Sequence, residues 1–197
     1  APVRECRDAS REAYLPLRGK VINIEKQSLH KIKENKEIKN IIEAIGAPPH
    51  RYEKIKIVAD ADPDGLHINV LVILLINKFF PDIIKEGRLS VVLPPLYGAY
   101  KNKTFIPLYN ITDANKYAES GYSIQRFKGL GEMNSDQMRA VFDSETEYVI
   151  SGSSHLDELL KIITNSDVKR QYLNLEEEYN FKDFIQTVFN NLNKKRV

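Results

Sequence analysis

One stretch limits what this chain can fold into more than any other: Ile55-Lys56-Ile57-Val58-Ala59-Asp60-Ala61-Asp62-Pro63-Asp64-Gly65-Leu66-His67. A short β-branched run ends in three carboxylates at alternate positions, then a glycine. An almost wholly apolar segment, residues 68–80, follows. The first run is strand-sized (55–59) and the second is helix-sized, expected over about 67–80. Because that helix is apolar nearly all round, it belongs in the core. A strand that delivers acids to its C-terminal end, ahead of a buried helix, is the layout of an α/β site.

The downstream chain keeps alternating. Residues 89–93 form a strand after Gly87. Pro94-Pro95-Leu96-Tyr97 breaks it, and residues 100–108 make a hairpin arm. Residues 111–119 read as a helix capped by Thr112, and 122–127 as a strand. A further helix, capped by Asn134 or Ser135, runs through Phe142, and 148–150 is a last short strand. Strand and helix in this order predict an α/β sheet with parallel pairs.

Upstream, residues 1–14 read as a loop or short helix and 21–24 as a short strand. Residues 28–45 read as one amphipathic helix. Ser28 caps it, Leu29, Ile32, Ile38, Ile41, Ile42 and Ile45 share a face, and Gly46 closes it. From Ser154 to the end the pattern is helical, a tail that packs on the sheet or on a partner.

Composition removes several classes. The net charge of +2, from 29 basic and 27 acidic residues, excludes a strongly basic domain, so any nucleic-acid surface must come from local clustering. A single cysteine, Cys6, excludes an internal disulfide and a cysteine-only metal site. The longest apolar run, 70–76, falls far short of the ~20 residues a membrane span needs.

In an extended segment Asp60, Asp62 and Asp64 point the same way, and Pro63 favours an extended Asp62. Carboxylates about 4 Å apart repel by roughly 4 kcal/mol per pair at an effective dielectric near 20. Such a cluster needs a cation or strongly shifted protonation. Oxygen ligands without neighbouring His or Cys favour Mg²⁺ or Mn²⁺. The same residues match the start of a calcium EF-hand loop, which requires a bidentate Glu at its twelfth position and a preceding helix. Leu71 stands at that position and a strand precedes, so calcium is rejected. A solvent-exposed acidic turn is the plain alternative. His67, at the start of the helix, reads first as a capping or packing residue. His30, His50 and His155 form no spacing pattern.

Two loops carry weaker signals. Pro16-Leu17-Arg18-Gly19-Lys20 sets two cations close together, read on their own as solvated charges. Lys128-Gly129-Leu130-Gly131-Glu132-Met133-Asn134 allows a tight turn with backbone amides near a partner. It matches neither a P-loop nor a dinucleotide fingerprint.

Taken together these blocks resemble a known family. Val58-Ala59-Asp60-Ala61-Asp62-Pro63-Asp64-Gly65-Leu66-His67-Ile68 resembles the D-x-D-x-D-G-x-H-I motif of the Toprim domain in type IIA DNA topoisomerases (bacterial gyrase B, topoisomerase IV ParE and phage relatives). Residues 16–26, Pro94-Pro95-Leu96-Tyr97 and Arg126-Phe127-Lys128-Gly129-Leu130-Gly131-Glu132-Met133-Asn134 are similar to three further family blocks, in the same order. The resemblance covers about residues 15–150. It implies a Toprim, Rossmann-like, mostly parallel sheet flanked by helices over 1–150, lacking its N-terminal strand, and a helical tail over 151–197.

The resemblance also implies a mechanism. A tyrosine on a partner subunit or domain, gyrase A- or ParC-like, attacks double-stranded DNA and forms a 5′-phosphotyrosyl link. Metal-bound Toprim residues stabilise the charge, with Mg²⁺ or Mn²⁺ held by Asp60 and Asp62 as catalytic ligands and Asp64 in support. Arg18, Lys20 and Lys128 are implied to face DNA. ATP is implied on an ATPase domain outside these residues, and the setting is the bacterial cytoplasm and nucleoid, or an infected host cell for a phage enzyme. The family's E-G-D-S-A block, whose Glu is acid/base and metal ligand, is not among these residues. The expectation is a cut chain or a split gene, not competent alone. The alternatives are a non-catalytic DNA-binding or subunit-docking fragment, and another Toprim enzyme such as a primase or OLD-type nuclease, which the 16–20 and 128–134 blocks disfavour.

Overall fold

The structure, a computed structural model, describes residues 2–18, 21–24, 26–144 and 147–151. Its elements run α1 (Pro2–Cys6), α2 (Leu29–Glu34), α3 (Lys36–Ile45), β1 (Ile55–Val58), α4 (Pro63–Phe79), α5 (Pro81–Lys85) and β2 (Leu89–Val92). Then come β3 (Tyr97–Lys101), β4 (Thr104–Leu108), α6 (Ile111–Glu119), β5 (Ser123–Arg126), a 3₁₀ turn (Leu130–Glu132), α7 (Ser135–Asp143) and β6 (Glu147–Ile150).

The unit β1–α4–α5–β2 is the centre. Residues 70–76 of α4 are all at most 5% exposed, as an all-round apolar helix demands. They join Ile38, Ile41 and Ile45 of α3, Ile57 of β1 and Leu89 and Val91 of β2 in one core. Pro81 opens α5 and sends Ile83 and Ile84 into the same core. β2, central in its sheet, is buried at all four positions.

The α/β class holds, but the pairing is less parallel than expected. Among the described strands only β1 and β2 run parallel, from Ile55 opposite Leu89 to Val58 opposite Val92. β6 lies antiparallel on the other side of β2, and β4-β3-β5 is a second, wholly antiparallel sheet. A parallel pair needs a long crossover, and α4 with α5 supplies one. The β3–β4 link is only Asn102 and Lys103, both at positive φ (51° and 65°), which fixes a two-residue hairpin. β6 is fastened by Glu147, which ion-pairs with Lys56 Nζ at 2.7 Å and accepts from Ser90 Oγ at 2.7 Å. Burial pushes the Glu147 carboxyl up, but these bonds outweigh it and leave the group below its ordinary range.

Three local expectations change. Residues 28–45 form two helices, because Asn35 ends one and starts the next. Its N–H closes on Ile32 O, and its side chain accepts from Ile38 N–H at 3.0 Å. An Asn side chain offers the backbone this alternative to continuing a helix. Leu29 consequently leaves the apolar face and is 66% exposed. Residues 21–24 are not a strand, since Val21 and Ile24 enter the core without ladder pairing. Helix α6 has the expected bounds, but Asn110 caps it in place of Thr112, accepting from Asp113 N–H at 2.7 Å. Asn134 caps α7 with a full capping box through Gln137. The expected tail from Ser154 lies outside the described residues. Among the described residues no helix is long and apolar enough to cross a membrane.

His50 has a role its spacing did not signal. Its ring, 3% exposed, reaches Gly46 O through Nδ1 (2.8 Å) and Asp82 Oδ2 through Nε2 (2.7 Å). It thus ties the end of α3 to the start of α5. The bond from His50 holds the Asp82 carboxyl below its ordinary range. A depressed carboxyl contributes stability above its unfolded pKa and loses it as pH falls through the folded value. Asp82→Asn should therefore lower the melting temperature at neutral pH, and the gap to the parent should close on acidification. A gap that stays constant with pH would rule this out.

Candidate metal centre

The acids sit where β1 hands over to α4. β1 ends at Val58, Ala59 is buried, and Asp60 emerges exposed. Asp62 is the N-cap of α4 (φ −136°, ψ 172°), and its Oδ1 accepts from Gly65 N–H at 2.7 Å. Pro63 opens the helix, and Asp64 lies exposed in its first turn. The three acids therefore do not share one extended segment, and α4 begins four residues before the expected position 67. Asp followed by Pro and an acid is a strong helix start: Asp caps well, Pro suits the first position, and negative charge is favoured in the first turn.

Gly65 makes this handover geometrically possible. A Cβ at this position would stand 2.0 Å from Asp60 O and 2.9 Å from Asp60 C. Only glycine lets the first turn of α4 rest on the Asp60 backbone.

A second segment closes on the same residue. Phe127 and Met133 are buried, at 4% and 3% exposure, and pin the ends of the loop between β5 and α7. Inside it Lys128 N–H donates to Glu132 Oε2 (2.9 Å), and Glu132 N–H donates to Gly129 O (3.1 Å). Leu130 N–H then donates to Asp60 Oδ1 at 2.7 Å, joining residues 70 positions apart. A Cβ on Gly129 would lie 3.1 Å from Asp60 Oδ1 and 3.4 Å from its Cγ. The sequence signal was present as Lys128-Gly129-Leu130-Gly131, but nothing local linked it to the acids. Gly131, by contrast, has open space around it.

The loop brings exposed Lys128 next to the residue that touches Asp60. Arg18 is exposed, and among the described residues no hydrogen bond or ion pair ties it to the acidic loop. Lys20 lies outside the described residues. His67 sits half-buried in α4.

Among the described residues no group of three or more Asp, Glu, His or Cys side chains forms a metal cage. Leu71, at 3% exposure, faces the core and offers no oxygen at the twelfth position that a calcium loop requires. Mg²⁺ keeps several waters and uses one or two carboxylates plus substrate phosphates. Two exposed carboxylates at a strand end, each oriented by a backbone N–H, fit that mode.

Residues 3–92 match the model of the Toprim domain. The chain carries a Toprim domain of the gyrase B and topoisomerase IV ParE kind. It is 37% identical over 192 residues to the B subunit of DNA topoisomerase 4 from Mycoplasma capricolum, covering 89% of this chain and 30% of that protein. It is 34% identical to the B subunit of DNA gyrase from Thermotoga maritima over 83% of this chain and 28% of that one. This Toprim chain thus spans about a third of the length of these relatives. In structure it is similar to the DNA-binding, cleavage and re-ligation domain of Plasmodium falciparum topoisomerase II. The TM-score is 0.61 and the identity 25%, over 80% of this chain and 24% of that one.

Proposed function

We propose that this chain is the Mg²⁺-binding Toprim part of a type IIA DNA topoisomerase. In this reading it supports double-strand DNA cleavage and religation by a tyrosine on a partner subunit or domain, gyrase A- or ParC-like. The observation that carries the reading is the Leu130 N–H to Asp60 Oδ1 bond, because it joins the acidic loop to the 128–134 block at one carboxylate. Two segments far apart in sequence meet there, as a shared site requires.

Asp60 and Asp62 would hold the ion, with Asp64 in support. When held there, Mg²⁺ or Mn²⁺ would supply charge stabilisation at the scissile and neighbouring phosphates. Lys128 extends from the loop against Asp60 and would neutralise a phosphate, as would Arg18 and Lys20 along the strand of DNA. ATP would be bound by another domain, and the setting would be the cytoplasm with its DNA. The relatives from topoisomerase 4 and gyrase support the reading.

The test supplies the chain with the tyrosine-bearing subunit and the E-G-D-S-A segment, and measures covalent protein–DNA product. Product should form only with Mg²⁺ or Mn²⁺ present. Asp60→Ala should reduce it by about 10²–10³-fold, the usual cost of losing one charge-stabilising group. Unchanged product in Asp60→Ala would remove the metal role.

A further inference from the structure

We propose that the loop between Phe127 and Met133 is a positioning element for a divalent-cation ligand. Leu130 N–H would orient the Asp60 carboxylate, and Glu132 would hold the loop in the shape that presents that N–H. The proposal rests on the reading of Asp60 as a metal ligand and adds what fixes its geometry.

An exposed aspartate carboxylate turns almost freely about its last torsion. Binding a cation through it then carries the entropy of ordering it. The 2.7 Å bond from Leu130 N–H commits Oδ1 and sets the plane of the group, so that Oδ2 can serve the cation with this bond in place. Bonds from backbone N–H to a carboxylate are charge-assisted and short. A backbone donor has no rotamer of its own, so its aim depends only on the loop.

The loop is itself fixed. Buried Phe127 and Met133 anchor its ends. Glu132 Oε2 accepts from Lys128 N–H at 2.9 Å, and Met133 N–H closes on Leu130 O at 3.3 Å. Gly129 completes the arrangement through space, not backbone freedom. Its backbone is extended (φ −170°, ψ 169°), but a Cβ would stand 3.1 Å from Asp60 Oδ1. The first glycine of the block is therefore a close-approach residue for the carboxylate. Partners that orient a metal ligand commonly account for about 10–100-fold of metal affinity.

Leu130 is the first residue of the 3₁₀ turn, and extended Gly129 precedes it. Proline suits both conditions, so Leu130→Pro deletes the N–H with the backbone kept. Leu130→Ala removes the same side chain and keeps the N–H. The experiment titrates the full chain with Mn²⁺, read by the free-ion spin resonance signal, with melting curves alongside. Leu130→Pro should bind Mn²⁺ about tenfold more weakly than Leu130→Ala. Glu132→Ala should also weaken binding, and Glu132→Gln, which keeps an acceptor for Lys128 N–H, should restore it. In NMR the Leu130 amide resonance should move in Asp60→Ala without any metal.

Equal affinities for Leu130→Pro and Leu130→Ala would overturn the positioning role. Glu132→Gln as weak as Glu132→Ala would show that Glu132 acts by its charge and overturn its part. If Asp60→Ala itself leaves Mn²⁺ affinity unchanged, the metal reading fails, and the positioning role fails with it.

Discussion

In the proposed topoisomerase assembly, Asp62→Asn should leave the domain folded and remove most Mg²⁺-dependent DNA cleavage. Asp62 has two jobs that this substitution separates. As the N-cap of α4 its Oδ1 accepts from Gly65 N–H at 2.7 Å. Asn caps about as well as Asp, so the helix start and the melting temperature should hold. As a proposed metal ligand it supplies a full negative charge, and an amide does not. Losing a charge-stabilising group in such a site costs about 10²–10³-fold in rate. Asp62→Ala should lose the same activity and also about 1 kcal/mol of stability, because the cap goes too. The measurement pairs single-turnover cleavage in the assembled enzyme with thermal melting of each variant. An Asp62→Asn protein that cleaves at the parent rate would end the assignment of Asp62 as a ligand.

Gly65→Ala carries the largest expected stability loss. The new methyl would stand 2.0 Å from Asp60 O, so the main chain at Asp60 and at the start of α4 must move apart. Overpacking of this sort typically costs about 1–3 kcal/mol, and the contact with main chain puts this case at the upper end. Alanine's better helix propensity returns about 1 kcal/mol at most. A net loss of about 2 kcal/mol would lower the melting temperature by about 4–8 °C for a chain of this size. In the proposed assembly DNA cleavage should fall as well, because the proposed ligand Asp60 is the residue displaced. Gly131→Ala is the matched control, with open space around its added methyl. Equal melting temperatures for the two variants would contradict the packing argument.

The legible part of the fold was the part written in local pattern. The all-round apolar run predicted the buried α4, and the β-branched run predicted β1. Leu71 at the twelfth position excluded an EF-hand, and its burial in the core agrees. The bounds of the helix at residues 111–119 were legible, although its cap proved to be Asn110 and not Thr112. What failed to show was long-range or a competition between two local rules. Asp62 is extended, as Pro63 favours, but that conformation is also the N-cap's, so the helix opens at Pro63 and the extension does not reach Asp64. At Asn35 a residue whose backbone N–H closes one helix and whose side chain caps the next overrode a continuous apolar stripe. The β3–β4 hairpin was legible over 100–108, but the antiparallel pairing of β5 on β3 depended on which edges were within reach, which spacing does not encode.

The candidate site divided the same way. Residue types and spacing marked Asp60, Asp62 and Asp64, and the collinear blocks marked Lys128. The function of Gly129 was hidden, because a glycine needed for space looks identical in sequence to one needed for a turn. His50 was hidden too, since its partner Asp82 lies 32 residues away.

The bond that holds Asp60 also sets an order of events. Strand β1 and helix α4 are neighbours in the chain and can form as soon as both have been made. Their acidic loop is fastened by Leu130, 70 residues later, and closing so long a segment is slow and entropically costly. During synthesis the acids leave the ribosome several seconds ahead of their anchor. A fragment ending at residue 92 would contain every acid of the motif and none of the clasp that orients Asp60.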